Sequence, residues 1–333
     1  MSQKNTTLKS AAEITKGDLN VMTLSEAEVV RLLDPGELLD ELHDGFCGLA
    51  NGDIQTPDRP EISVPGKGFN LSMPAWRPGS PIMVKMVSVF DGNLELGLPN
   101  HLAIISLFDP ATGAPLCVMD GTHITGFRTA AAAVLSVREI ARSNSKVATI
   151  VGAGVQGREH LQLLPLARQF DEILISSLHF EDARKLAALH PRARAVEDLE
   201  AAVRRSDVVC LASHSEKPVI QVEWVGPGTH VTSVGYAPPR GELPVSLAVT
   251  GKLYIEDDAA LEPPPVGCGE LQGLASGDAI RFGDALNGTA PLRESVSEIT
   301  IYKAMGIAME DLIAAEIVYN KARKQGAVGE LKL

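Results

Sequence analysis

In residues 24–54, "LSEAEVVRLLDPGELLDELHDGFCGLANGDI", apolar positions recur at three- and four-residue steps, the period of a helix that buries one side. Pro35 is tolerated in a first helical turn, where its missing N–H has no partner to lose, so two helices are expected within residues 24–51. The pattern then changes. "TPDRPEISVPGKGFNLSMPAWRPGSPIMVKMVSVFDGN" sets short apolar runs between Pro and Gly, which predicts strands and turns. "HLAIISLFDPATGAPLCVMDG" predicts a hairpin turning at "DPATG", and "THITGFRTAAAAVLSVREIAR" an Ala-rich helix. From Lys146 the order becomes strand, helix, strand: "VATIVGA", a helix through Leu166, "EILISS", the helix "FEDARKLAALH", then strands in "DVVCLAS", "THVTSVG" and "KLYIED". Strands alternating with helices predict a doubly wound parallel sheet, an α/β fold. "EPPPVGCGELQGLASGD" reads as a loop with no chemical role beyond shape. The end, "SEITIYKAMGIAMEDLIAAEIVYNKARKQG", reads as a strand stub and a long amphipathic helix.

One turn in this pattern carries chemistry. Gly152, Gly154 and Gly157 form G-x-G-x-x-G between a β-branched strand and a helix. The first glycine permits the tight turn, the second lets a pyrophosphate approach the backbone, and the third lets helix and strand pack closely. The helix start, at Val155 and Gln156, offers N–H groups and the positive end of the helix dipole to phosphate. A dinucleotide is the expected cofactor. For NAD, an acidic residue about 20 residues on should hold the ribose 2′-hydroxyl. Here that strand ends in Ser176 and Ser177 with His179 beyond, so NADP is slightly favoured over NAD, and these three residues are assigned to the cofactor. Ser213, ending "DVVCLAS" with His214 next to it, falls on the cofactor edge of the sheet by the switch-point rule.

Composition narrows the classes. A net charge of −12 over 333 residues argues against a nucleic-acid binder, which needs basic surface to neutralise phosphates. No apolar run reaches the ~20 residues of a membrane span. Residues 1–20 are polar and lack a signal-peptide core, so a loose extension and a cytoplasmic address are expected. Cys47, Cys117, Cys210 and Cys268 are far apart and predict buried free thiols; eight scattered histidines show no zinc spacing, and no metal is expected.

Three basic residues before the Rossmann turn stand in unusual company: Arg59 in "TPDRPEIS", Lys85 inside the apolar "IMVKMVSV", and Arg128 in "TGFRTAAAA". Taken singly, each reads as a snorkelling or ion-paired side chain. Together they suggest an anion pocket, in which arginine forks grip a carboxylate and a desolvated lysine moves a proton near neutral pH.

The stretches "RPEIS", "MPAW", "VKMVSVF", "GLPNHLAIISLFDPATGAPLCVMDGTHITGFRTAAAA", "VGAGVQG", "GELP" and "YKAMGIAMEDLIAA" resemble the ornithine cyclodeaminase/mu-crystallin family, in its order, from about residue 24 to 330. The resemblance implies a homodimer with a discontinuous α+β substrate and dimerisation domain, residues 21–128 and 311–333, around a Rossmann domain, residues 129–310. It places Arg59, Lys85 and Arg128 on the α-carboxylate of a small amino-acid-like substrate. Thr129, beside Arg128, is assigned to the cofactor. Cyclodeaminases of the family carry an acid–base aspartate just after the strand leading into "PGK-x-EL". Aligned on Glu242 and Leu243, that position is Tyr236, whose pKa near 10 makes it a poor base. Ala304 also stands where the family commonly has serine. The expected function is therefore NAD(P)-dependent reduction of an α-imino or α-keto acid, with Lys85 and Tyr236 as catalytic candidates. Ornithine cyclodeamination and a mu-crystallin-like binding role are the alternatives. His101, His123, Asp109 and Asp120 are expected in structural, turn or capping roles, His123 having the nearer claim to catalysis. Trp76 and Phe69 fit an apolar pocket wall or core packing equally.

Overall fold

The computed structural model describes residues 19–264, 266–326 and 329–333; most of the expected N-terminal extension lies outside them. In chain order come β1 (Asn20–Leu24), α1 (Glu26–Leu32), α2 (Pro35–Ala50), β2 (Glu61–Val64), β3 (Gly68–Ala75), β4 (Ile82–Val89), β5 (His101–Phe108), β6 (Pro115–Asp120) and α3 (Thr122–Ile140). There follow β7 (Val147–Val151), α4 (Val155–Ala167), β8 (Glu172–Ser176), α5 (Phe180–Ala187), β9 (Ala193–Ala195), α6 (Leu199–Arg204), β10 (Val208–Leu211) and β11 (His230–Ser233). The last are α7 (Val245–Thr250), β12 (Lys252–Ile255), β13 (Ile280–Arg281), α8 (Phe282–Leu286), β14 (Thr300–Lys303), α9 (Ala308–Gln325) and β15 (Gly329–Lys332). The two early helices lie where the pattern puts them. Asp34 caps α2 by accepting from the Glu37 N–H at 2.8 Å, and Pro35 opens it. Asp120 likewise accepts from the N–H groups of Thr122 and His123 at the start of α3.

The chain divides into two compact units. The first holds the described residues up to Leu33 together with Gln55–His123 and Ala315–Leu333; the second holds Asp34–Ile54 and Ile124–Ala314. In the first, a sheet in the order β15-β1-β6-β5-β4-β3-β2 is antiparallel except where β1 meets β6. Strands β5 and β6 form the expected hairpin, with Asp109 accepting from Ala111 and Thr112 N–H in its turn. Alternation sorts its faces: Met83, Lys85 and Val87 of β4 and Ala103, Ile105 and Leu107 of β5 are buried, whereas Met86, Leu102 and Ile104 point out and are exposed.

In the second unit the order is β13-β12-β14-β11-β10-β7-β8-β9, with every described pairing parallel. Strands β7, β8, β10 and β11 are buried along nearly their whole length, which is why they read as continuous apolar runs. Successive strands run outward from β7 through β8 to β9, and β10 starts the other direction. The switch point lies between β7 and β10.

The structure departs from expectation in three places. Residues 34–54, assigned by the resemblance to the first domain, cluster in the second unit: α2 packs on α8, Phe46 meets Phe282 edge-on at 5.1 Å, and a Cβ on Gly283 would lie 2.2 Å from the Phe46 carbonyl. The final helix is not amphipathic over its first turns; α9 is buried at every position from Ala308 to Ala315, charged Glu310 and Asp311 included. And the 262–278 loop sends Cys268, Glu270 and Leu271 into the interior.

Candidate active site

The Gly-rich turn leaves β7 at the switch point. Gly152 has φ +122°, its N–H donates to the Ser176 carbonyl at 2.8 Å, and a Cβ there would lie 2.2 Å from the Ala212 carbonyl. A Cβ on Gly157 would lie 2.1 Å from the Gly152 carbonyl. These two glycines are demanded by the fold itself. Gly154 is different: its φ of −81° suits any residue, and nothing lies within 4 Å of where its Cβ would be. Space is left there, beside the first N–H groups of α4, of the kind a pyrophosphate fills. Val155, at that helix start, is 66% exposed, whereas the Gln156 side chain turns back to donate to the Gly126 carbonyl at 3.0 Å. The Thr129 hydroxyl is likewise engaged in its own helix, donating to the Thr125 carbonyl at 2.8 Å.

At the end of β8, Ser176 is buried, Ser177 half-buried and His179 exposed. No carboxylate occurs between Ser176 and Phe180, and Arg184 is ion-paired with Glu181 at 3.1 Å. Ser213, beyond β10, directs both its N–H (2.7 Å) and its hydroxyl (2.6 Å) inward to Glu242 Oε2. Tyr236 follows β11 and is half-buried. The parallel sheet therefore collects the glycine turn, Ser176, Ser177, Ser213 and Tyr236 along its C-terminal edge.

Two buried polar clusters on the same edge escaped the sequence reading. In one, Glu242 accepts from Ser213, Ser233 and Gly235, while Lys303 donates to Ser233 Oγ and the Gly235 carbonyl and pairs with Glu270 at 2.9 Å. Burial by itself would lower the Lys303 pKa, but the acidic groups around it (Cys268, Glu270 and Glu242) more than offset this and raise it. In the other, the Arg128 guanidinium pairs through Nη1 with Glu310 at 2.5 Å and through Nε with Asp311 at 2.9 Å. Burial opposes its charge, yet Asp311 and Glu310 raise its pKa. Burial and the adjoining Glu256 carboxyl push Glu310 well above the usual carboxylate range. Glu256 in turn accepts from the Tyr302 hydroxyl and the N–H groups of Met305 and Gly306, and Gly306 has no Cβ to obstruct the Arg128 fork. Arg128 is thus ion-paired through its Nη1 and Nε. The signals for these clusters were present in "GELP", "YKAMG" and "MED", but nothing local distinguishes a buried Glu or Lys from a surface one.

Of the other basic candidates, Arg59 and Lys85 belong to the first unit and Arg128 to the second. Lys85 is 1% exposed on β4, in register between Met73 of β3 and Ile105 of β5, and Arg59 is half-buried ahead of β2. Burial lowers the His123 pKa against the pull of Asp120 and Glu26, and its backbone sits in the α3 cap, a structural setting. All four cysteines are free; three are buried as expected and Cys47 is half-buried.

A parallel sheet carrying G-x-G-x-x-G at its switch point, with a helix start open behind the second glycine, defines a dinucleotide-binding α/β protein. Residues 19–326 match the ornithine cyclodeaminase/mu-crystallin family, and the chain belongs to that family. It is 32% identical over 277 residues to the ketimine reductase mu-crystallin of Mus musculus, covering 81% of this chain and 86% of that one. Its fold is similar to Δ1-pyrroline-2-carboxylate reductase of Thermococcus litoralis, solved with NADH and L-proline (TM-score 0.86, 33% identity, 93% of this chain and 100% of that one). It is also similar to an archaeal alanine dehydrogenase dimer with bound NAD (TM-score 0.87, 30% identity, 94% and 99%).

Proposed function

We infer that this protein is an NAD(P)H-dependent oxidoreductase that reduces an α-imino acid, or an α-keto acid together with ammonia, to the amino acid. The observation that carries the reading is the open space at Gly154 behind a turn whose other two glycines the fold requires. Relatives of similar length are reductases or dehydrogenases of imino and amino acids by name, which supports the same chemistry here. The bound coenzyme supplies hydride to the substrate Cα. The residues supply the rest: Arg59, Lys85 and Arg128 hold the carboxylate, and Lys85, assisted by Tyr236, delivers the proton that the imine nitrogen gains. Two groups bound the carboxylate role of Arg128, because Asp311 and Glu310 already engage its Nε and Nη1.

Tyrosine at position 236, in place of a carboxylate, favours reduction over cyclodeamination, which needs a base at the amine. That no carboxylate stands between Ser176 and Phe180 slightly favours NADPH over NADH. Self-association as a homodimer fits the first sheet's outer face, where Met86 and Ile104 stand opposite each other, 44% and 54% exposed. The first unit would then serve substrate binding and dimerisation.

The test is absorbance at 340 nm with NADH or NADPH and a panel of five- and six-membered cyclic imino acids, with pyruvate or glyoxylate plus ammonia. L-Ornithine is run in parallel for proline and ammonia. Net coenzyme oxidation on an imine is expected, faster with NADPH. Proline from ornithine without net coenzyme change would make the protein a cyclodeaminase. Tight coenzyme binding with no turnover would leave a binding role.

A further inference from the structure

The proposed mechanism makes no use of Glu242, Lys303 and Glu270, buried beneath the C-terminal edge of the parallel sheet. Glu242 is fully buried, and its two oxygens divide four donors between them. Oε2 takes the N–H and hydroxyl of Ser213; Oε1 takes the Gly235 N–H at 2.7 Å and the Ser233 hydroxyl at 3.0 Å. Ser213 lies just beyond β10, Ser233 ends β11, and Gly235 lies two residues past it. Lys303, the last residue of β14, reaches the Gly235 carbonyl at 2.7 Å and Ser233 Oγ at 3.2 Å, and Glu270 closes the group. The ends of three neighbouring strands are thereby tied by two carboxylates and one ammonium.

The backbone is cut to admit these groups. A Cβ on Gly235 would lie 2.6 Å from the Glu242 carboxyl carbon and 2.3 Å from the Ser213 carbonyl. One on Gly241, at φ +82°, would lie 2.5 Å from Glu270 Oε1. Burying paired charges stabilises a fold no better than well-packed apolar residues do, so such a group is best explained by the geometry it enforces. Its location says which geometry. A dinucleotide spans the two mononucleotide halves of a doubly wound sheet; the β7–β9 half receives the adenine nucleotide, and the half beginning at β10 receives the other.

We propose that Glu242, Lys303 and Glu270 are positioning residues that hold the Ser213 and Gly235–Tyr236 backbone as a rigid floor for the nicotinamide half of the coenzyme. This rests on the dinucleotide reading. It deepens it by separating two functions on one sheet edge: the glycine turn binds the adenine half, and the ionic strut orders the surface on which the reactive half lies. Both hydrogens of Ser213 point into the strut, so Ser213 acts through the floor it helps to shape.

The separation is measurable by titration calorimetry with two ligands, ADP-ribose, which carries only the adenine half and the diphosphate, and NADH. In Glu242→Gln an amide N–H₂ opposes the donors of one pair, which should weaken NADH about 10-fold or more. ADP-ribose should stay within about 2-fold, a split that general loosening of the fold would not produce. Should that variant not fold, Glu270→Gln leaves the four Glu242 bonds in place and should weaken NADH alone, by about 3-fold. Equal weakening of both ligands, or no change in NADH, overturns the proposal. Wild-type protein that binds neither of these ligands nor NADPH overturns the dinucleotide reading, and the strut's role with it; if only NADPH binds, it and 2′-phospho-ADP-ribose take the places of NADH and ADP-ribose in the comparison.

Discussion

At Gly152 and Gly154 two glycines of one motif do different work, and substitution should separate them. Gly152→Ala forces a Cβ against the Ala212 carbonyl at a positive φ, so it should destabilise the fold by at least roughly 1–3 kcal/mol, read as a lowered urea midpoint. Gly154→Ala meets nothing in the protein, so the urea midpoint should hold, while coenzyme affinity falls about 10-fold as the methyl enters the phosphate space. A coenzyme affinity unchanged in Gly154→Ala would remove the main support for the functional reading. His160 shows another residue-scale consequence of burial. Its Nδ1 lies 2.7 Å from the Gln156 carbonyl, and its Nε2 meets no hydrogen-bond partner among the described residues.

Among the elements, α2 shows how local rules and packing combine. Its start is set by Asp34 and Pro35, and its buried stripe of Leu38, Leu39, Leu42 and Phe46 docks it within the nucleotide unit through α8. Asp34→Ala removes the cap acceptor at 2.8 Å and should cost about 1 kcal/mol by chemical denaturation, leaving coenzyme affinity unchanged. The final helix illustrates the limit of such rules. The segment "AMEDLIAAEIVYNKARKQ" reads as an amphipathic helix, but Glu310 and Asp311 are buried because Arg128 meets them from α3. A charge reads as surface-seeking until its partner is known.

The whole molecule supplies two further expectations. If the outer sheet face of the first unit joins two copies, Ile104→Lys should shift sedimentation from dimer toward monomer, with the far-ultraviolet spectrum retained; an unchanged mass would sink that assignment. Stability should also fall on acidification in a particular window. Burial lowers His230 to about 3, with Arg293 and Arg168 adding to it, and burial lowers His160 to about 4 against its hydrogen bond to the Gln156 carbonyl. Both are neutral in the folded chain, while the unfolded chain takes up protons below about 6.5. Their contribution is complete above pH 6.5 and is lost as pH falls through about 4 for His160 and about 3 for His230. His160→Leu should flatten that limb by up to about 3 kcal/mol, read from urea midpoints across pH. Glu310 has the opposite sign: its elevated pKa gives a contribution present in acid and lost as pH rises through that value.

Amino-acid order alone determined the features that depend on near neighbours. These are the helical period of α2 and its opening at Pro35, the β5–β6 hairpin, the buried parallel strands, and the glycine spacing that marks a dinucleotide turn, together with the family these motifs spell out. Only the tertiary structure decided which charges meet. Glu242 and Ser213 are 29 positions apart, and Arg128 and Asp311 are 183 apart; strand order and helix docking join them. Periodicity and capping act over a turn or two of chain, so they register where a helix starts and which side is apolar. A buried ion pair depends on crossover connections between distant strands, and no short window of sequence carries that information.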